Sequence, residues 1–200
     1  MKDFEISAEI KSLIHGRDIA LVGNSRKVVG KTFDVDKHDV VIRMNGAWDL
    51  PKELQESVGK KIDLLCISGH KKEIDFIVKA VPLTMWMSPK NRDIISEDTK
   101  KIMNFYPLDS WQNLFTRIGA RPSTGCMVVD MVRDIIGDGH LTLYGFDFFE
   151  GDSWHTRYSW KKRLKMLFGQ EIYTNPHDGK KEAEYIKAAL PASQLTIVKP

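Results

Sequence analysis

Short apolar runs alternate with amphipathic stretches along the whole chain, and the two periods predict different elements. Phe4 to Leu13 has helical spacing and ends near Gly16. Strands are predicted over 18–22, 39–43, 62–67 and 83–87, where apolar residues run together between turn-formers. Between the last two, Lys71 to Val81 places Ile74, Ile77 and Val78 on one helical face. Ser96 opens a helix expected to run through Phe105, Tyr106-Pro107-Leu108 breaks it, and Asp109 to Arg117 adds a further helical turn or two. Ser123 or Thr124 is a good N-cap for an apolar helix over 126–136. A strand follows over 141–147, a basic amphipathic helix over 160–168, a helix over 178–190 capped by Asp178, and a last strand over 195–198. Strands alternating with helices predict one α/β domain over 1–200, Rossmann-like, with a mainly parallel sheet flanked by helices.

The first two strands both end in Asn beside Gly. One delivers Gly23-Asn24-Ser25 and the other Asn45-Gly46. In an open α/β sheet, ligands bind beyond the carboxyl ends of the strands. Glycine lets backbone approach a ligand, and an Asn amide offers both a donor and an acceptor. Two ordinary strand-to-loop turns would also produce this pattern. The nearby Gly30-Lys31-Thr32 invites a P-loop reading, but Ser25 stands where the first glycine should be. The seven residues after Thr32 have no helical period and a strand starts at once, so no room is left for the P-loop helix. The dinucleotide fingerprint fails as well, because no second glycine follows Gly23 at the required spacing.

Composition narrows the partners. Net charge is +3, from 30 basic and 27 acidic residues, too mild to argue nucleic-acid binding. The 42% hydrophobic content is that of a soluble globular chain, and no apolar run is long enough to span a bilayer. Met1-Lys2-Asp3-Phe4-Glu5 does not read as a signal peptide. Cys66 and Cys126 sit in or beside apolar runs and read as small buried hydrophobes in a reducing compartment. The six histidines show no metal-ligand spacing.

Pro122-Ser123-Thr124-Gly125 is the second informative stretch. Amides at a helix start, with two hydroxyls and Arg121 beside them, suit an anion, although a plain helix cap has the same sequence. Together with the first loops it resembles a known family, the animal-type sialyltransferases of glycosyltransferase family 29. Ala20-Leu21-Val22-Gly23-Asn24-Ser25, with Asp36, Asp39, Val41-Ile42-Arg43-Met44-Asn45 and Val58-Gly59-Lys60-Lys61-Ile62-Asp63, resembles the large sialylmotif. The run from Pro122-Ser123-Thr124-Gly125 to Leu143-Tyr144-Gly145-Phe146 resembles the small one, and His177 with Glu182 the very small one. The three come in family order and cover most of the chain.

The resemblance implies a GT-A-like fold variant and a metal-independent, inverting transferase. It would move sialic acid, or a similar acid sugar, from a cytidine-monophosphate (CMP) donor to a glycan or lipid-linked acceptor. Asn24 and Asn45 would contact the CMP, with Gly23, Ser25 and Gly145 in the donor site. Ser123, Thr124 and Gly125 would line its ribose and phosphate. His177 would be the general base, and its place before a helix start favours the neutral form. His155, in Trp154-His155-Thr156-Arg157-Tyr158, would help hold the phosphate, although the family's aromatic pair after that His is replaced by Thr156-Arg157. Asp34-Val35-Asp36 then reads as loop acid rather than a metal motif, and no cofactor is expected. The disulfide of secretory-pathway members would fall at about Ile19 and Ile136, both isoleucine here. That departure fits a bacterial or phage version in the cytoplasm, peripheral at the inner membrane, where the basic segment 160–168 could touch anionic lipid and the product could enter lipopolysaccharide or capsule. A transferase of the related acid sugar Kdo and a non-catalytic nucleotide-binding module are the alternatives.

Overall fold

A computed structural model describes residues 5–69, 72–148 and 177–200. The described chain forms seven strands: β1 Asp18–Val22, β2 Val40–Met44, β3 Leu64–Ile67, β4 Leu83–Trp86, β5 Asn104–Phe105, β6 His140–Tyr144 and β7 Leu195–Val198. They make one parallel sheet in the order β5-β4-β3-β2-β1-β6-β7. Seven α-helices are described: α1 Ala8–Ile14, α2 Lys52–Val58, α3 Ile74–Ala80, α4 Glu97–Ile102, α5 Leu108–Ile118, α6 Thr124–Ile135 and α7 Gly179–Lys187. No helix among the described residues is long and apolar enough to cross a membrane.

The near-continuous apolar runs of the strands follow from burial on both faces, as a parallel sheet under helices requires. Ile19 and Leu21 of β1 face a core shared with α1, α5, α6 and α7, through Ile10, Leu114, Val128 and Ile186. Ala20 and Val22 face the opposite core, with Leu54 and Val58 of α2. A third cluster joins Leu65 and Ile67 of β3 to Ile77 and Val78 of α3. Ile19 and Ile136 lie in the first core, and Cys66 and Cys126 are buried there as free thiols whose pKa values burial pushes up.

The strands at 18–22 and 195–198 have the bounds expected from sequence, and most others shift by a residue or two. Three differences have physical causes. The helix expected over 96–105 stops at Ile102, because Asn104–Phe105 pairs with β4 as a two-residue edge strand. The strand expected over 141–147 ends at Tyr144, because Gly145 takes φ +67° and turns the chain. Helix α2 was not expected; Pro51 opens it, and Leu54 and Val58 bury its single apolar stripe. No α-helix starts at Lys31, whose amide closes a turn onto Val28 O at 3.1 Å, and only a 3-10 turn over Val35–Lys37 follows, so the P-loop geometry is absent. The helix expected over 160–168 lies outside the described residues.

Part of the large-motif pattern builds a clamp. Arg43, fully buried on β2, donates from Nε to Lys61 O at 2.8 Å and from a terminal nitrogen to Val58 O at 2.7 Å. Burial lowers its pKa to about 10, against the pull of Asp36 3.7 Å away, so the guanidinium stays charged at neutral pH. Asp36 in turn accepts from the amides of Lys60 (2.9 Å) and Lys61 (3.0 Å). Gly59 turns between these partners at φ +67°, where a Cβ would lie 2.1 Å from an Asp36 oxygen. Gly59→Ala should therefore lose both backbone freedom and the Asp36 contacts, costing roughly 2–4 kcal/mol in urea unfolding. Gly30→Ala, at φ +79° with nothing within 4 Å, should cost only about 1 kcal/mol. Equal losses would show that Asp36 gives way freely.

Candidate active site

Strand order reverses at β1. The chain builds outward from β1 to β5, then returns to add β6 on the other side. In open α/β sheets, ligands bind beyond the carboxyl ends of the strands at such a switch point, here those of β1 and β6. The loops that leave it are Gly23-Asn24-Ser25 and Gly145-Phe146-Asp147. Gly23 N–H donates to Tyr144 O at 2.7 Å and Ser25 N–H to Gly145 O at 3.2 Å, so the two loops stay zipped beyond their strands. A Cβ at Gly23 would lie 2.3 Å from Gly145 O, and one at Gly125 would lie 2.9 Å from the Phe146 ring. These glycines are therefore required by close packing of the loops on each other and on the α6 start. Ser25 is buried; its hydroxyl accepts from Lys27 N–H at 3.2 Å and donates to Asp147 Oδ2 at 2.9 Å. Beside it, Asn24 Oδ1 is buried with no hydrogen-bond partner among the described residues, a state that ordinarily costs stability and marks a place for a ligand donor.

The other candidate residues arrive at the same edge. Asn45 follows β2 in the left-handed region, φ 54°, which Asn tolerates better than most side chains. Its Oδ1 accepts from Ser68 N–H at 2.9 Å, just past β3, and its Nδ2 lies 3.5 Å from Thr124 Oγ1. Thr124 Oγ1 donates to Ser68 Oγ at 2.8 Å, closing a link between two strand ends and the first turn of α6. Because α6 leads into β6, and α7 into β7, both helices start at the carboxyl edge of the sheet.

Ser123 caps α6, its Oγ accepting from Cys126 N–H at 3.2 Å. Its own N–H donates to Glu182 Oε1 at 2.7 Å and its hydroxyl to Glu182 Oε2 at 2.5 Å. Glu182 lies in the first turn of α7 and is 2% exposed. Burial raises its pKa to about 7 despite these two bonds, which favour the charged form. His177, just before the Asp178 N-cap of α7, places Nδ1 2.8 Å from Arg121 O and 3.8 Å from Glu182 Oε1. Only a protonated Nδ1 can bond a carbonyl, so the neutral ring carries its lone pair on Nε2. Burial lowers the His177 pKa, opposed by the Arg121 carbonyl and helped by the Arg121 charge.

The structure thus brings Gly23, Asn24, Ser25, Asn45, Ser123, Thr124, Gly125, Gly145 and His177 to one edge of the sheet. His155 lies outside the described residues. Asp34-Val35-Asp36 stands apart from this set: Asp36 is engaged by the Lys60 and Lys61 amides, and Asp34 pairs with Lys37 at 3.0 Å. Sequence reasoning missed Ser68, Asp147 and the bond from Glu182 to Ser123. The first two were within reach of it: the rule that picked the polar residues after β1 and β2 picks them when applied to β3 and β6.

No family model matches the chain, and no curated protein matches it. Solved structures do. The chain is 22% identical to a mammalian sialyltransferase over 92% of its own length and 69% of that chain, with a TM-score of 0.58. It is 18% identical to the monofunctional α-2,3-sialyltransferase Cst-I from Campylobacter jejuni, over 98% of its own length and 78% of that chain, with a TM-score of 0.57. At these identities the likeness establishes a shared fold.

The buried Glu182 has a consequence for stability. A folded-state pKa of about 7, above the ordinary 4.5, means that folding tightens its hold on a proton. The stability this contributes is whole below about pH 4.5 and lost as pH rises through about 7. His177 acts with the opposite sign: its contribution is whole above about pH 6.5 and lost as pH falls through its lowered value. The difference in unfolding free energy between Glu182→Gln and wild type isolates the first effect. It should move in favour of the Gln variant by roughly 1–3 kcal/mol between about pH 4.5 and pH 8. A difference that is flat across this range would mean that Glu182 stays ionised throughout.

Proposed function

We propose that this protein is an inverting glycosyltransferase that moves sialic acid, or a similar acid sugar, from its CMP donor to a hydroxyl of a glycan acceptor, without a metal. The observation that carries the reading is the placement of His177 and the two Asn loops on one edge, joined through Glu182 and Ser123. The names of the two structural relatives are those of sialyltransferases, which agrees with the reading.

Each part of the site then has a task. Asn24, with its unsatisfied Oδ1, and Asn45 meet the nucleotide. The start of α6 at Ser123, Thr124 and Gly125 faces the phosphate, where helix-end amides and the macrodipole favour an anion. As the bond from the anomeric carbon to the phosphate oxygen breaks, its electrons leave with CMP, and the same helix start stabilises them. The acceptor oxygen attacks from the opposite side of the sugar and gives its proton to His177 Nε2. The lowered pKa keeps the imidazole neutral before the step, and Glu182, 3.8 Å from Nδ1, favours the imidazolium formed in it.

His177→Ala separates base from binder. Assayed in excess chelator, the variant should keep the fold and the wild-type affinity for CMP while turnover falls by roughly 10²–10⁴. Wild type should turn over in the same buffer, with activity falling on the acid side of neutrality as His177 takes up a proton. Full turnover by His177→Ala would remove the base assignment. A wild type silent until a divalent ion is added would remove metal independence.

A further inference from the structure

The carboxylate of Asp147 stands at the switch point, just beyond β6, with one of its two oxygens uncommitted among the described residues. Oδ2 accepts the Ser25 hydroxyl at 2.9 Å. Oδ1 has no hydrogen-bond partner among the described residues, and the side chain is only half-buried. Its position is well fixed. Ser25 is buried and tied by three hydrogen bonds: its N–H to Gly145 O, its Oγ to Lys27 N–H and to Asp147. Phe146, the preceding residue, packs against Gly23 and Gly125, so Asp147 sits where the β1 loop and the start of α6 approach each other. Asn24, next to Ser25, holds the buried oxygen that lacks a donor. Two adjacent loops therefore present acceptors that no group among the described residues satisfies.

We propose that Asp147 is a further substrate-contact residue, whose Oδ1 accepts hydrogen bonds from the ribose 2′- or 3′-hydroxyl of the nucleotide donor. The assignment rests on the CMP-donor reading and deepens it. Charge and hydrogen-bond type select the ribose among the three parts of the nucleotide. A carboxylate repels the phosphate, which the start of α6 suits instead. The pyrimidine edge of cytosine sets one amino donor beside two acceptors, so a carboxylate can take a single bond there while facing lone pairs, whereas the mixed amides of Asn24 and Asn45 match both kinds of group. Two neighbouring ribose hydroxyls are donors, and a carboxylate held at its other oxygen is preorganised to receive them. Acidic residues beyond strand ends serve ribose in this way in other doubly wound folds.

The test compares CMP with its 2′-deoxy and 3′-deoxy forms and with uridine monophosphate, by calorimetric titration of the full chain. Wild type should prefer CMP over at least one deoxy form by about tenfold or more. Asp147→Ala should bind CMP about tenfold more weakly, bind that deoxy form as wild type does, and so lose the preference. Asp147→Asn can still accept the Ser25 hydroxyl and should also lose the preference, with an unchanged melting temperature, which separates ribose contact from loop support. A preference that survives both variants overturns the assignment. So does an equal loss for every nucleotide, which would make Asp147 a loop pin, or a loss of CMP preference over uridine monophosphate alone, which would place the carboxylate at the base. A wild type that binds no cytidine nucleotide overturns the donor reading itself, and the assignment falls with it.

Discussion

The helical half of the carboxyl edge depends on the bond between Glu182 and Ser123. One buried carboxylate takes both the N–H and the O–H of the residue that caps α6. It thereby fixes the start of α7 against the start of α6, although the two lie far apart in sequence. His177 rides on that junction, its ring bonded to Arg121 two residues before Ser123. A second tether lies deeper between the same helices. Buried Asp130 of α6 accepts the hydroxyls of Tyr106 and of Tyr185 on α7, and pairs with Arg133 at 3.0 Å. The tyrosine pKa values are pushed up by burial and by this carboxylate, so both hydroxyls remain donors. Two polar anchors on a buried helix interface specify one packing, where apolar contacts alone would tolerate sliding.

The sheet supplies the other half of the site. A parallel sheet sends every strand toward the same edge, and reversal of strand order at β1 brings the β1 and β6 loops side by side there. Motif residues divide into two kinds. Asp36, Arg43 and Gly59 clamp the loop that enters β3, and Gly23 and Gly125 permit close packing at the switch point. Asn24, Asn45, Thr124 and His177 line the edge itself, where Ser68 braces the second and third of them. A pattern of identities in sequence thus mixes scaffold with chemistry, and only geometry sorts them.

Long apolar runs were readable from the sequence because two-sided burial leaves few polar positions in them. Hence β1 has the expected bounds. Short elements were not. β5 is two residues held by its pairing to β4, and α2 owes its existence to a slot beside β1 and β2 that its own seven residues do not announce. The two Asn loops were visible as polar residues beside glycine at strand ends. The Glu182–Ser123 bond was not, since pairing across 59 residues leaves no local pattern. The same holds for Arg43, an arginine in an apolar strand whose partners are backbone carbonyls of a distant loop.

The central claim is that the loops at the carboxyl edge of the sheet, after β1 and β2, rather than the Gly30-Lys31-Thr32 turn, hold the nucleotide. Titration of CMP into wild type, Asn24→Ala, Asn45→Ala and Lys31→Ala tests it most directly. Each Asn variant should lose roughly 1–3 kcal/mol of binding free energy, and Lys31→Ala should match wild type. Binding of ATP with magnesium that disappears in Lys31→Ala, with both Asn variants unaffected, would contradict the account.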